Sequence, residues 1–298
     1  PPVRAYAKRL GIDLVLVAAA VGDRLITRSD VDDYVERTSG ATLLSARPDQ
    51  LRASGSPADP APGERDREVR VPIRGVRKHT AAAMVESAFT APHVTVFHTV
   101  DVTSTMDLVA SFRDDRSLAG HRIGPLAVVA KAVCLALGRA PELNSRWDDA
   151  AGEIVRHGYV DLGIAAATER GLLVPNIRDA ERLTLVELAD AVQDLAETAR
   201  EGRTAPSALA GGTFSISNIG VFGVDAGTPI LPPGQSGILA VGAVRRQPWD
   251  YRGEIALRQM MTLSLSFDHR VVDGAEGARF LKDVADILEE PGRALLFR

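Results

Sequence analysis

The stretch Met261-Thr262-Leu263-Ser264-Leu265-Ser266-Phe267-Asp268 runs directly into His269-Arg270-Val271-Val272-Asp273-Gly274, and its reading decides the fold. Apolar and polar residues alternate without a break up to Phe267, which is the period of a strand with one buried face. The residues that follow abandon that period. Over Ala275 to Glu289, Phe280, Val284, Ile287 and Leu288 recur on one side of a helix. A strand that ends on His before a helix puts an imidazole at the rim of a sheet, where side chains leave the packed layer and can meet a ligand. Histidine titrates near neutrality, so it can take a proton from a weak acid and return it. Taken alone, a His and an Asp four residues apart fit a surface imidazole and a helix-capping carboxylate equally well. A metal site needs a third ligand, and no close Cys, His or Asp cluster supplies one.

Working outward, the pattern alternates helices and strands. Val76 to Phe89 reads as an amphipathic helix, and His93 to Asp101 alternates as a strand. Helices are expected over Gly124 to Arg139 and Leu185 to Arg200, the latter opened by a Thr184…Glu187 capping box. Strands are expected over Val160 to Ala167, Leu172 to Ile177, Thr213 to Ser217 and Gly237 to Val244. Residues 70–298 thus form one α/β domain. Residues 1–37 form a separate small helical unit, with one helix over Pro2 to Leu10, stopped at Gly11, and a second after Thr27, with Asp30 three residues on. Between them, residues 38–69 are rich in Ser, Pro, Ala, Gly and charge without a hydrophobic period, and read as a flexible linker.

Composition removes several functional classes. The 35 Lys and Arg against 39 Asp and Glu give a net charge of -4, without the basic excess that nucleic-acid binding uses. No apolar run is long enough for a membrane span and no signal-peptide pattern is present, so a cytoplasmic protein is expected. The single cysteine, Cys134, sits in an apolar helical run and reads as a small buried hydrophobe. The sequence opens on Pro1-Pro2 and is expected to be the C-terminal portion of a longer product.

Several segments, in order, resemble the catalytic domain of dihydrolipoamide acyltransferases, the E2 core of 2-oxoacid dehydrogenase complexes. They are Ile73-Arg74-Gly75-Val76-Arg77-Lys78, Pro92-His93-Val94-Thr95, Gly171-Leu172-Leu173-Val174-Pro175-Asn176-Ile177, Gly211-Gly212-Thr213-Phe214-Ser215-Ile216-Ser217-Asn218-Ile219-Gly220, Pro229 to Gly242, and the His269…Asp273-Gly274 motif shared with chloramphenicol acetyltransferase. Val3 to Asp13 and Ile26 to Val31 resemble the peripheral subunit-binding domain of the same chains. The resemblance implies an α/β, chloramphenicol-acetyltransferase-like two-layer catalytic domain preceded by that small helical domain.

The resemblance also implies roles. His269 is the general base that removes the coenzyme A thiol proton, which is needed because a thiol of pKa near ~8.5 is only slightly ionised at neutrality. Ser217 donates to the negative oxygen of the tetrahedral intermediate. Asp273 holds the histidine loop through an ion pair with Arg77, and Asn218, Arg270 and Gly274 flank the site. Arg4, Arg9, Arg24 and Arg28 are expected to face an acidic surface of an E1 or E3 enzyme. Coenzyme A is the expected substrate, the lipoyl group rides on a domain absent from this sequence, and homotrimers with a shared active site build a larger core. The block from Pro92 to Thr103 leans towards branched-chain acyl transfer, with acetyl or succinyl transfer and a catalytically silent scaffold as alternatives. A Ser/His/Asp hydrolase is a further rival, but the chain has no Gly-x-Ser-x-Gly elbow.

Overall fold

The computed structural model describes residues 3, 6, 7, 17, 26–39, 69–168 and 171–297. The chain divides into two compact units, Pro1–Arg70 and Val71–Arg298. In the first, Ala7, Val17 and Val31 are buried together, with Val3, Tyr6 and Ile26 against them. Helix α1 (Arg28–Ser39) runs two residues past the expected end of this domain. Its start is fixed as the sequence implies, because the Thr27 N–H and hydroxyl both donate to the Asp30 carboxylate, at 2.7 and 2.6 Å. The Tyr6 hydroxyl donates to Asp32, and the Arg28 guanidinium lies 5.1 Å from the centre of the Tyr6 ring. Arg4, Arg9, Arg24 and most of the expected linker lie outside the described residues.

The second unit follows the order α2 (Gly75–Thr90), β1 (His93–Asp101), α3 (Thr103–Arg113), α4 (Pro125–Leu137), β2 (Ser145–Asp148), β3 (Glu153–Arg156), β4 (Leu162–Ile164), β5 (Ala166–Thr168), β6 (Gly171–Leu173), β7 (Asn176–Ile177), α5 (Leu185–Arg200), β8 (Phe214–Asn218), β9 (Gly237–Val241), β10 (Arg245–Tyr251), β11 (Glu254–Asp268) and α6 (Gly274–Glu289). The main sheet has the order β1-β11-β9-β8-β4-β7, with β10 added to β11. β8 is parallel to β9 and β4, whereas β11 is antiparallel to both β1 and β9.

The alternation in β11 is resolved on two faces. Leu263, Leu265 and Phe267 are fully buried in the main core with Phe214, Phe280, Val284 and Leu288. Ser264 and Ser266 are fully buried as well, so the polar face is not the solvated face a strict alternation suggests. Its hydroxyls are satisfied across the ladder: Ser266 bonds Thr95 at 2.7 Å, and Thr262 bonds Thr99 at 3.0 Å.

Four expectations need correction. The strand expected over Val160 to Ala167 is two strands, β4 and β5, and that over Leu172 to Ile177 is also two, β6 and β7. Pro175 lacks the N–H that would continue the second run. β11 starts at Glu254, seven residues before the alternating stretch, because the Arg252-Gly253 turn folds β10 back onto it. The helix at Val76 to Phe89 forms as α2, but within this chain most of its apolar side chains, Val76, Val85 and Phe89 among them, stay exposed and only Ser87 is buried. Helix α3 was absent from the sequence reading altogether. By contrast, the Thr184…Glu187 capping box of α5 forms with both of its reciprocal bonds.

Candidate active site

β11 lies between β1 and β9, and the ladder carries it to the rim before releasing the chain. His93 faces Asp268, and the last ladder bonds run from the Asp268 N–H to Ser236 O at 3.1 Å and from the His269 N–H to Pro92 O at 2.9 Å. The N–H groups of Val271 and Val272 then both donate to Asp268 O at 3.0 Å, closing a tight turn that Val272 plugs into the core. His269 is therefore held by its backbone on the rim, with its exposed ring against Phe267 at 5.9 Å between centroids.

The buried Asp268 carboxylate is neutralised by the next turn residue but one. Arg270 donates to it from its backbone N–H and, through Nε and Nη2, from its guanidinium at 2.7–3.2 Å, while lying 4.9 Å over the Trp147 ring. That hydrogen bond raises the Arg270 pKa further above the ordinary range. Arg270 is thus a fixed strut beneath the histidine turn. A cavity of about 480 Å³ opens beside it, lined by Trp147, Asp149, Pro233, Gln235, Asp268 and Arg270 among others.

Asp273 does not pair with Arg77 within the chain. It is the N-cap of α6, accepting from Glu276 N–H at 2.8 Å while the Glu276 carboxylate accepts from the Asp273 N–H at 2.9 Å. Arg77 is exposed on α2 and makes no ion pair among the described residues. The physical reason is that a carboxylate at a helix start is drawn to the unpaired N–H groups of the first turn. Gly274 opens α6 with a negative φ, and a Cβ there would meet no atom of its own chain.

Ser217 and Asn218 stand at the C-terminal end of β8, half-buried, opposite Ala240 and Val241 of β9. No hydrogen bond among the described residues engages the Ser217 hydroxyl. Across the next strand Ala240 faces Ser264, five positions before His269. Two strand spacings sideways and five residues along β11 put Ser217 and His269 roughly 19 Å apart. One chain does not bring these two together.

Other singled-out side chains prove structural. His93 donates through Nδ1 to Ala91 O at 2.7 Å and accepts at Nε2 from the Leu231 N–H at 3.0 Å, which requires a neutral ring. Cys134 is buried, and burial pushes its thiol up to about 12, so it offers no thiolate. The Pro232-Pro233-Gly234-Gln235 loop, within the resembling block Pro229 to Gly242, forms a wall of the cavity beside Arg270. The sequence reading also missed the His121–Asp190 pair at 2.8 Å, because nothing local links residues so far apart in the chain.

The family description "2-oxoacid dehydrogenases acyltransferase (catalytic domain)" matches residues 65–296. The chain belongs to this acyltransferase family. Among its relatives is the dihydrolipoyllysine-residue acetyltransferase component of the pyruvate dehydrogenase complex from Bacillus subtilis, 36% identical over 99% of this chain and 67% of that protein. A solved dihydrolipoamide acetyltransferase from Azotobacter vinelandii, studied for the catalytic roles of a serine, a histidine and an asparagine, is 33% identical. It aligns with a TM-score of 0.73 over 80% of this chain and 99% of its own. The cubic core of a pyruvate dehydrogenase multienzyme complex matches equally well, at 33% identity and a TM-score of 0.73 over the same shares. The acyltransferase fold is therefore that of such E2 cores, with coenzyme A as substrate and the lipoyl group carried on a separate domain. Among the described residues no helix is long and apolar enough to cross a membrane.

Proposed function

We propose that this acyltransferase moves an acetyl group between dihydrolipoamide and coenzyme A, at sites completed between neighbouring copies of the chain in a trimer. The acetyl reading is favoured by the pyruvate-complex relatives; those relatives lend no support to the branched-chain lean. A second reading, branched-chain transfer, keeps the support of the Pro92 to Thr103 block. A methylene or two in an acyl pocket shifts preference by only ~1–3 kcal/mol, so overall identity decides little there. Rates with acetyl-, isobutyryl- and succinyl-coenzyme A separate the readings: acetyl should lead in kcat/KM, and a lead for isobutyryl would transfer the assignment.

The observation that carries the mechanism is spacing combined with register. The serine and histidine of the Azotobacter enzyme are separated by the same number of residues as Ser217 and His269, and its asparagine follows the histidine as Asp273 follows His269. His269 takes the thiol proton, the thiolate sulfur attacks the thioester carbonyl, and the Ser217 hydroxyl donates to the oxyanion so formed. Collapse of that intermediate expels the other thiolate, which recovers the proton from His269. The two groups lie far apart in one chain, so a site needs His269 of one copy and Ser217 of another. In this reading Asp273 works through its cap, holding the start of α6 and with it the histidine turn. The small N-terminal domain binds E1 or E3 through its arginines, and the cytoplasm is the working compartment.

A further inference from the structure

We infer that Trp147, on the β2–β3 hairpin, is a positioning residue for the histidine turn: its ring holds the Arg270 guanidinium on Asp268 and so keeps His269 where it takes the thiol proton. This rests on the acyl-transfer reading above. β2 is tied to the turn at two points. At the first, the Ser145 carbonyl accepts from the Ser236 hydroxyl at 2.6 Å, and the Ser236 carbonyl in turn accepts the Asp268 N–H at 3.1 Å. At the second, two residues further along β2, the Trp147 ring centre lies 4.9 Å from the Arg270 guanidinium carbon. Arg146 and Asp148 alternate with Trp147 on the strand and pair with each other at 2.9 Å, which leaves the Arg270 side to the indole. The hairpin that carries the ring is itself anchored. Ser145 is fully buried, and the buried Asn144 donates to the His157 and Tyr159 carbonyls at 3.1 and 2.8 Å, just beyond β3. Trp147 lies outside every segment that carries the family resemblance.

The turn depends on the guanidinium staying in place. Among the described residues the Asp268 carboxylate, with its side chain 4% exposed, accepts hydrogen bonds from Arg270 alone. A guanidinium that swung away would leave a buried, unpaired charge beside the reacting imidazole. The same residue carries the turn, because its carbonyl accepts the N–H groups of Val271 and Val272. The bonds to Asp268 fix the guanidinium within its plane, and the indole covers its face. The Arg270 side chain is otherwise 30% exposed, so a ring stacked on it removes one route by which water competes for the pair. The indole N–H donates to Asp149 at 3.2 Å, and the charge of Asp149 on this side also favours the cation. Displacing a catalytic group by about 1 Å can lower a rate by about 10²-fold, so a brace that never touches substrate still sets turnover.

The test uses the full assembled enzyme, with assembled mass checked first. A guanidinium stacked on an indole shifts an equilibrium by about 3–30-fold, so in Trp147→Ala hydrogen exchange at the Asp268, His269, Val271 and Val272 amides should quicken by about that factor. kcat should fall by about 3–30-fold, while the KM for coenzyme A and for dihydrolipoamide should each move less than about 2-fold, since the ring acts through the base. Trp147→Phe keeps an aromatic face and should stay within about 3-fold of the parent in both measurements. In an Arg270→Gln background, Trp147→Ala should cost less than a further 2-fold or so, because no guanidinium remains to be held. If Trp147→Ala fails to assemble, Trp147→Leu, which keeps bulk without a π face, carries the same expectation. A raised KM with kcat unchanged would make Trp147 a substrate contact, and an undiminished loss in the Arg270→Gln background would break the link through Arg270; either result overturns the inference. Exchange reads the turn whether or not the chain transfers acyl groups. Faster exchange in the variant of a parent that transfers nothing supports the brace and overturns the function alone. Unchanged exchange and kcat in an active enzyme overturn the brace and leave acyl transfer standing, and unchanged exchange in an inactive parent overturns both.

Discussion

His269 leaves the ladder held by its backbone N–H, with an exposed ring, so removing the imidazole removes a base while sparing the packed turn. His269→Ala should lower kcat by roughly 10²–10⁴-fold with the assembly intact. Steady-state rates beside a thermal melt check this, and an unchanged rate would take the histidine out of the mechanism. Ser217→Ala should lower kcat by ~10²–10³-fold with little change in either KM, because an oxyanion donor acts only in the transition state. A variant defective in binding alone contradicts that role. Asp273 offers a sharper discrimination, since Asn caps a helix as well as Asp does. Asp273→Asn should keep activity and stability, whereas Asp273→Ala should cost about 0.5–2 kcal/mol by denaturant unfolding. Equal damage from both would restore a charge role and an ion pair with Arg77 across a subunit boundary. The capping was legible at this scale, because a Glu three residues after an Asp before a helical pattern is a local signal. The Arg270–Asp268 bond was not, since it requires a turn that points both side chains to the same side.

Between elements, the contacts that set the site are close approaches and one buried charge pair. A Cβ on Gly277 of α6 would lie 2.5 Å from the Phe267 ring, just under the histidine turn. Gly277→Ala should therefore cost about 1–3 kcal/mol and lower activity with it, although alanine is the better helix former. A stabilised variant would show that the helix can shift off the sheet freely. At the other end of β1, Asp101 accepts from the Thr103 N–H and hydroxyl and from Arg258, joining the start of α3 to β11. Burial pushes this carboxyl up, but the bonds from Thr103 and Arg258 outweigh it and hold it below its ordinary value of 3.8. A depressed folded-state pKa stabilises the fold fully above the unfolded value and loses that contribution as pH falls through the folded one. Asp101→Asn should cost about 1–3 kcal/mol at neutral pH, with the gap to the parent closing below about pH 4. A gap that persists in acid would assign the loss to packing. β10 went unseen in the sequence because all its side chains are exposed, leaving no burial period to read.

For the whole molecule, half of each proposed site lies at either end of one sheet, so isolated monomers should be inactive however well folded. Inactive His269→Ala and Ser217→Ala chains, dissociated, reassembled together and shown by distinct tags to be mixed, should regain partial activity. Mixed trimers no better than either parent, or a fully active monomer, would end the shared-site mechanism. The exposed apolar residues of α2, among them Val76, Val85 and Phe89, fit the same view of a chain unfinished by itself. The sequence by itself determined the α/β class, the strand that delivers His269, the helix behind it and the capping boxes, because alternation, helical spacing and caps are encoded within a few neighbouring residues. Only the tertiary structure decided that Ser217 stands at the opposite end of the sheet and that Arg270 neutralises Asp268. Those facts depend on strand order, register and turn direction, which emerge when distant segments compete to bury the same core.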